Sequence, residues 1–370
     1  MSATASHGPL PRLTPLLPAW HARAPHLDAT ATFPTAELHD LHTTGALAAP
    51  IPTAHGGPGL GTEPHGALPL LALLRTIGSA SLAVGRLYEG HVNAQNLLAL
   101  YATPAQLAAV ATDARAGHLF AIWNTEPTPG LRLDANHLTG QKTFCSAAYH
   151  ATRALVTAAP PTGPAQMLLI PLIPGERAGP PHFTLQGMRA CGTATVTFDG
   201  LPAPPAAHIG QPGDYLRQPE FSAGAWRTAA VTLGGLDALA TELRTQLSQR
   251  HRDAAPHQRA RIGAALMAQE TAALWLHKAA TIAESRTHPA GDVAAYVNLA
   301  RLAVESATLD TIRIAQRALG LAALLATNPV ERLLRDLTTY LRQPAPDETL
   351  DEAAAWFTTR PLPTTLESTS

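Results

Sequence analysis

The sequence predicts an α+β protein. An N-terminal helical domain is expected over residues 1–117, a small antiparallel β-barrel or β-sheet domain over 118–216, and an up-and-down four-helix bundle over 217–370. Three observations carry this. Apolar residues recur at helical spacing on both flanks, the middle zone changes to strand-length runs, and no long helix alternates with those strands as a doubly wound parallel sheet would require.

In the first zone Leu70, Leu71, Leu73, Leu74 and Ile77 share a broad apolar helical face, and Leu97, Leu98 and Leu100 continue in a later helix. The stretch Pro50–Gly61, PIPTAHGGPGLG, interrupts the helices as a turn-rich link. In the middle zone His118–Asn124, Arg153–Ala158 and Gln166–Leu172 have strand length and apolar character. Residues 193–198 alternate strictly, with Ala194, Val196 and Phe198 on one face and Thr193, Thr195 and Thr197 on the other. In the last zone three stripes read as amphipathic helices: Leu236, Leu239, Leu243 and Leu247; then Ile262, Leu266, Ala273 and Leu276; then Val293, Val297, Ala300, Val304 and Ala307.

Composition removes several function classes. The chain has 370 residues and a formal net charge of -1, so it offers no basic field for a phosphate backbone, and nucleic acid is not an expected partner. No uninterrupted apolar run reaches the ~18 residues of a membrane span, and Met1–Leu16 has neither the basic nor the apolar region of a signal peptide, so a cytoplasmic setting is expected. The two cysteines, Cys145 and Cys191, exclude a disulfide scaffold, and the 17 histidines are scattered without metal-ligand spacing, so no metal site is expected.

General motifs for dinucleotides, phosphates, zinc or a nucleophilic serine are absent. Two segments carry more information. Phe120–Pro127, FAIWNTEP, ends a strand, and Leu138–Ala147, LTGQKTFCSA, supplies the following one. Phe144 and Ser146 stand two residues apart and so are expected on one face. An aromatic ring beside the hydroxyls of Thr125 and Ser146 suits a flat tricyclic ring such as a flavin; an ordinary hairpin with one core phenylalanine is the plainer reading.

The order of further motifs extends this. Pro34, Leu38, Leu41, Gly45, Pro52 and Gly56-Gly57 are followed by His91-Val92-Asn93 and by Tyr101–Gln106. Thr125-Glu126-Pro127, Leu138–Phe144, Gly187–Thr193, Val196–Gly200 and a late Arg335-Asp336 complete the series. In this order and spacing the chain, from about Phe33 to Leu350, resembles the acyl-CoA dehydrogenase superfamily. The resemblance implies FAD or FMN between the β-domain and the bundle. Trp123, Asn124 and Thr125 would line the flavin, Phe144 would stack near it and Ser146 would face its N5 edge. Arg250 and Arg252 match the neighbourhood of an arginine that serves the adenosine half across a dimer interface. The resemblance further implies a homodimer or homotetramer, and oxidation of a CH–CH bond in an acyl thioester or similar small substrate, acyl-CoA included. Electrons would pass to an electron-transfer flavoprotein. Relatives of the same fold work instead as monooxygenases with a partner flavin reductase, and a non-catalytic member is the third reading.

The sequence departs from the family at its catalytic base. Pro344 stands where most members place a glutamate, and Trp226 and Arg227 stand where a second branch places it. Asp347 and Glu348 follow closely; one of them, Asp347 or Glu348, is the substitute base if the loop is shifted, and both cap the final helix otherwise. His91, on a helix that in the family faces the substrate side, is the second catalytic candidate because histidine titrates near neutrality; a core histidine bonded to backbone is the alternative. Arg317 stands near Gly320, in a turn that is glycine-rich in the family, where it can offer charge to a phosphate or lie on the surface.

Overall fold

A computed structural model describes residues 8–180 and 185–364; part of the N-terminal segment read above for a targeting signal, residues 1–7, lies outside it. The first helices are α1 (Leu10–Leu13), α2 (Leu17–Thr30), α3 (Thr35–Thr43), α4 (Ala67–Ala80), α5 (Leu82–Tyr101) and α6 (Pro104–Arg115). The predicted stripe of α4 faces inward, with Leu70, Leu71, Leu73, Leu74 and Ile77 each at most 9% exposed. Ser81 separates α4 from α5 and its hydroxyl accepts the Val84 N–H. Thr103 and Gln106 close a reciprocal capping box on α6.

The strands are β1 (Phe120–Trp123), β2 (Arg132–Asp134), β3 (His137–Thr139), β4 (Gln141–Cys145), β5 (Arg153–Ala158), β6 (Gln166–Pro171), β7 (Ala194–Thr197) and β8 (His208–Ile209). They form one sheet in the order β1-β5-β6-β8 and two pairs, β2-β3 and β4-β7. The sheet zone differs from the expected antiparallel arrangement in one pairing: β1 runs parallel to β5, with Phe120 beside Arg153 and Trp123 beside Val156. The chain between them makes room for this by carrying the separate pairing of β2 with β3 and the strand β4 before it returns. In β7 the predicted alternation is present, with Ala194 and Val196 buried and the intervening threonines half-exposed.

The remaining helices are α7 (Glu220–Ala223), α8 (Ala225–Gln249), α9 (Pro256–Ser285), α10 (Ala290–Leu319), α11 (Pro329–Tyr340) and α12 (Pro346–Phe357). Helix α8 packs against α4, α5, α9, α10 and α11, so it is the central member of the bundle and also its seam with the N-terminal helices. The α8 and α10 stripes are buried as predicted. Of the predicted α9 stripe, Leu276 is buried and Ile262 and Ala273 pack half-buried against the core, but Leu266 is 40% exposed; Ala265, Ala272, Ala279 and Ala280 complete the inner face. Alanines let the helices approach closely but give little contrast in a hydropathy pattern, so Leu266, beside the inner face, reads as part of it.

The turn-rich link is fastened on several sides. The Gly61 carbonyl accepts from Asn96 at 2.5 Å and from Arg227 at 3.1 Å. The Thr62 carbonyl accepts from Arg286 at 2.9 Å, and the Thr62 hydroxyl donates to the Pro50 carbonyl at 2.8 Å. Gly57 is required here, because a Cβ at that position would lie 2.1 Å from the Ile51 carbonyl oxygen.

Candidate functional site

The end of β1 and the end of β4 meet beside α5. Trp123 is 3% exposed; its indole Nε1 donates to the Ser146 carbonyl at 3.0 Å and its edge meets Phe198 at 6.4 Å between ring centres. Trp123, Ser146 and Ala147 line a narrow cavity with Leu119–Ile122 and with Arg86, Leu87 and Gly90 of α5. It has room for about one water molecule. A flat tricyclic ring is far too large to enter it.

Asn124, Thr125, Phe144 and Ser146 form a rim at the two strand ends, and of these four only Ser146 lines the cavity. Asn124 and Thr125 are exposed and Ser146 is half-buried. The Thr143 N–H donates to the Thr125 carbonyl at 2.9 Å, tying the exit of β1 to β4. The β4-β7 register shifts between Lys142 and Cys145, so strict alternation fails there. Phe144 takes φ = +53° and is 50% exposed. A non-glycine residue in the left-handed region costs about 1–2 kcal/mol, and such strain gathers at functional positions.

His91 lies elsewhere. It is fully buried; Nε2 donates to the Leu47 carbonyl at 2.8 Å and contacts Gln95, while Nδ1 accepts the Phe120 N–H at 3.1 Å. Burial pushes its pKa down to about 4. Both nitrogens are thus engaged and the ring is neutral at physiological pH. Arg250 and Arg252 follow α8 and are exposed, with the Arg250 guanidinium on Gln246 at 3.3 Å. Arg317, exposed in the last turn of α10, lies at the same end of the bundle, where Gln258 of α9 donates to the Ala318 carbonyl at 3.2 Å. Glu348 is exposed in the first turn of α12, a turn whose N-cap residue, Ala345, gives no side-chain hydrogen bond. The strand-end residues are therefore together, while His91, Glu348 and the arginines are in other places.

Sequence reasoning missed a buried polar cluster behind the cavity. Glu89 is 1% exposed. Its carboxylate accepts from Arg86 at 2.6 Å, from the Thr228 hydroxyl at 2.9 Å and from the Asn93 amide. Arg227 donates to the Asn93 side-chain oxygen at 2.9 Å and pairs with Glu284, which also accepts the Trp226 indole at 3.1 Å. Arg227 and Glu284 are 4% and 5% exposed. The Tyr340 hydroxyl lies beside Thr228 but makes no hydrogen bond of good geometry among the described residues, and burial holds its pKa well above the usual phenol. The signal for this cluster was the i, i+3, i+7 spacing of Arg86, Glu89 and Asn93 in a helix otherwise buried.

Among the described residues no group of three or more His, Cys, Asp or Glu could hold a metal ion, and no helix is long and apolar enough to cross a membrane.

The arrangement of helices, sheet and bundle is the acyl-CoA dehydrogenase-like fold. The chain superposes on butyryl-CoA dehydrogenase from Megasphaera elsdenii with a TM-score of 0.83 at 17% identity, covering 96% of this chain and 98–99% of the other proteins' chains in this and the next comparison. It is similarly close to TdsC from Paenibacillus sp. A11-2 in complex with FMN and indole, with a TM-score of 0.82 at 21% identity over 96% of this chain. A third neighbour is a nitrososynthase from Micromonospora carbonacea var. africana, with a TM-score of 0.79 at 20% identity over 94% of each chain. No protein-family profile and no curated protein matches the chain.

Proposed function

We infer that the protein is a flavin-dependent oxidoreductase, and that it works as a monooxygenase on a small molecule at the strand ends. The observation that carries this is the condition of its carboxylates. Acyl thioester dehydrogenation needs a carboxylate free to take a proton, a contribution of roughly 10² to 10⁴ in rate. Among the described residues none of those lining the cavity is a carboxylate. Glu89, behind it, already accepts from Arg86, Thr228 and Asn93, so its oxygens are occupied and none faces the cavity. Glu284 is held by Arg227 and Trp226, and Glu348 stands in solvent.

The rim fits a flavin through its half-exposed Phe144 ring and the polar groups of Asn124, Thr125 and Ser146, with Trp123 as the packed wall beneath. FMN needs only this ring site and a phosphate contact; FAD would call on Arg250, Arg252 and Arg317 as well. When bound, the flavin supplies the two-electron redox chemistry. In this reaction class one oxygen atom of O2 enters the substrate and the other leaves as water, with the electrons delivered by a partner flavin reductase. TdsC is a dibenzothiophene monooxygenase, and its FMN and indole complex supports this reading. Exposed Met267 and Leu274 on α9 suit assembly as a homodimer or homotetramer, and the cytoplasm is the setting such a reductase-fed reaction needs.

The test uses purified protein loaded with FMN or FAD. Oxygen consumption with reduced FMN and indole, beyond the rate of free reduced FMN, is the expected result. Anaerobic bleaching of the bound flavin by butyryl-CoA, abolished in Glu348→Gln, would overturn the monooxygenase reading in favour of dehydrogenation.

A further inference from the structure

Lys142 is an unusual residue for a short strand: its side chain is wholly buried. It points under the exit of β1, where its ammonium donates to the Asn124 carbonyl at 3.4 Å, to the Thr157 hydroxyl at 3.2 Å and to Glu126. Thr157, on β5, donates in turn to the side-chain oxygen of Asn124. Asn124 is thus gripped from beneath through both its backbone and its amide. Glu126 also accepts the Leu131 N–H at 3.2 Å, which closes the turn after the strand. Gly130 permits this closure, because a Cβ there would lie 2.1 Å from the Glu126 carboxylate. The residue after Lys142 bonds to Thr125, and the one after that is the strained Phe144.

We propose that Lys142 is a positioning residue: one buried ammonium fixes Asn124, Thr125 and the Phe144 bulge as a single rigid rim. The proposal rests on the flavin reading of that rim for its purpose, but not for its geometry. An ion pair with one partner in reach of water is a poor source of stability. What it supplies is direction, because an ammonium with three acceptors defines where each acceptor sits. Glu126 is 37% exposed, so water can solvate it when its partner is removed.

The test is Lys142→Met, with Thr157→Val as a second variant that removes only the hydroxyl between Lys142 and Asn124. Amide hydrogen exchange is measured on the flavin-free proteins, together with melting temperature. Binding of FMN is then measured by quenching of its fluorescence. In Lys142→Met the melting temperature is expected to hold, exchange over residues 124–131 and at Thr143 to rise at least tenfold, and FMN to bind at least tenfold more weakly. Thr157→Val is expected to move exchange and FMN binding in the same direction by about threefold, and it decides the matter if Lys142→Met does not fold. Unchanged exchange at the rim in a folded variant overturns the proposal. Wild-type protein that binds neither FMN nor FAD would sink the flavin reading, while the exchange data would still decide the role of Lys142.

Discussion

At the scale of single residues, His91 shows how burial changes what a side chain can do. A histidine in an unfolded chain takes a proton near pH 6.5, whereas burial lowers the folded value to about 4. As pH falls the unfolded chain is protonated first. His91 therefore leaves stability untouched above about pH 6.5 and subtracts up to about 3 kcal/mol on the way down to pH 4. Urea midpoints between pH 7 and pH 4 should fall more steeply in the wild type than in His91→Gln; equal slopes would assign the titration to other groups. The sequence offered two fates for this residue, and spacing alone could not choose between them. The deciding partners, Leu47 and Phe120, lie 44 and 29 residues away. Glu89 escaped notice for the same reason. Its neighbour Thr228 is 139 residues along the chain, and a charged residue on a helix reads as solvated until the opposing helix is known.

At the scale of elements, the helical stripes of α4, α8 and α10 were legible because leucine and valine contrast with their neighbours, whereas the alanine-based inner face of α9 was legible only in part. The strand β7 was legible from its threonine alternation, while the parallel pairing of β1 with β5 has no local signature, since it depends on what the intervening chain does. Between α8 and α9 the buried pair of Arg227 and Glu284 makes an asymmetric prediction. Glu284→Ala should cost about 3–5 kcal/mol by stranding the guanidinium, whereas Arg227→Met with Glu284→Leu should cost less than the sum of its two single replacements, the remaining loss coming from Asn93, the Gly61 carbonyl and the Trp226 indole. Chemical denaturation of the wild type, Glu284→Ala, the double variant and its two component single variants checks this, and additive losses would show that the pair is not coupled.

At the scale of the whole molecule, the late Arg-Asp pair joins parts of the chain that are far apart. Asp336 accepts the Met188 N–H at 2.6 Å, and Arg335 bonds Asp28 of α2 at 2.6 Å and the Gln186 carbonyl at 2.9 Å. The loop can approach α11 this closely because residue 187 has no side chain: a Cβ there would stand 2.2 Å from the Arg335 carbonyl oxygen. Gly187→Ala should therefore cost about 1–3 kcal/mol by overpacking, read as a lower denaturant midpoint; an unchanged midpoint would mean the seam yields. The glycine-rich link from Pro50 to Gly61 has the composition of a hinge, yet Asn96 of α5 and Arg227 of α8 grasp its last carbonyl, at Gly61, and Arg286, just after α9, grasps the next one, at Thr62. It behaves as a rivet through three helices. A protease offered the native protein should pass over this stretch and nick the chain first near Pro160–Pro164, and an early cut at Gly56–Gly61 would show that the rivet is loose.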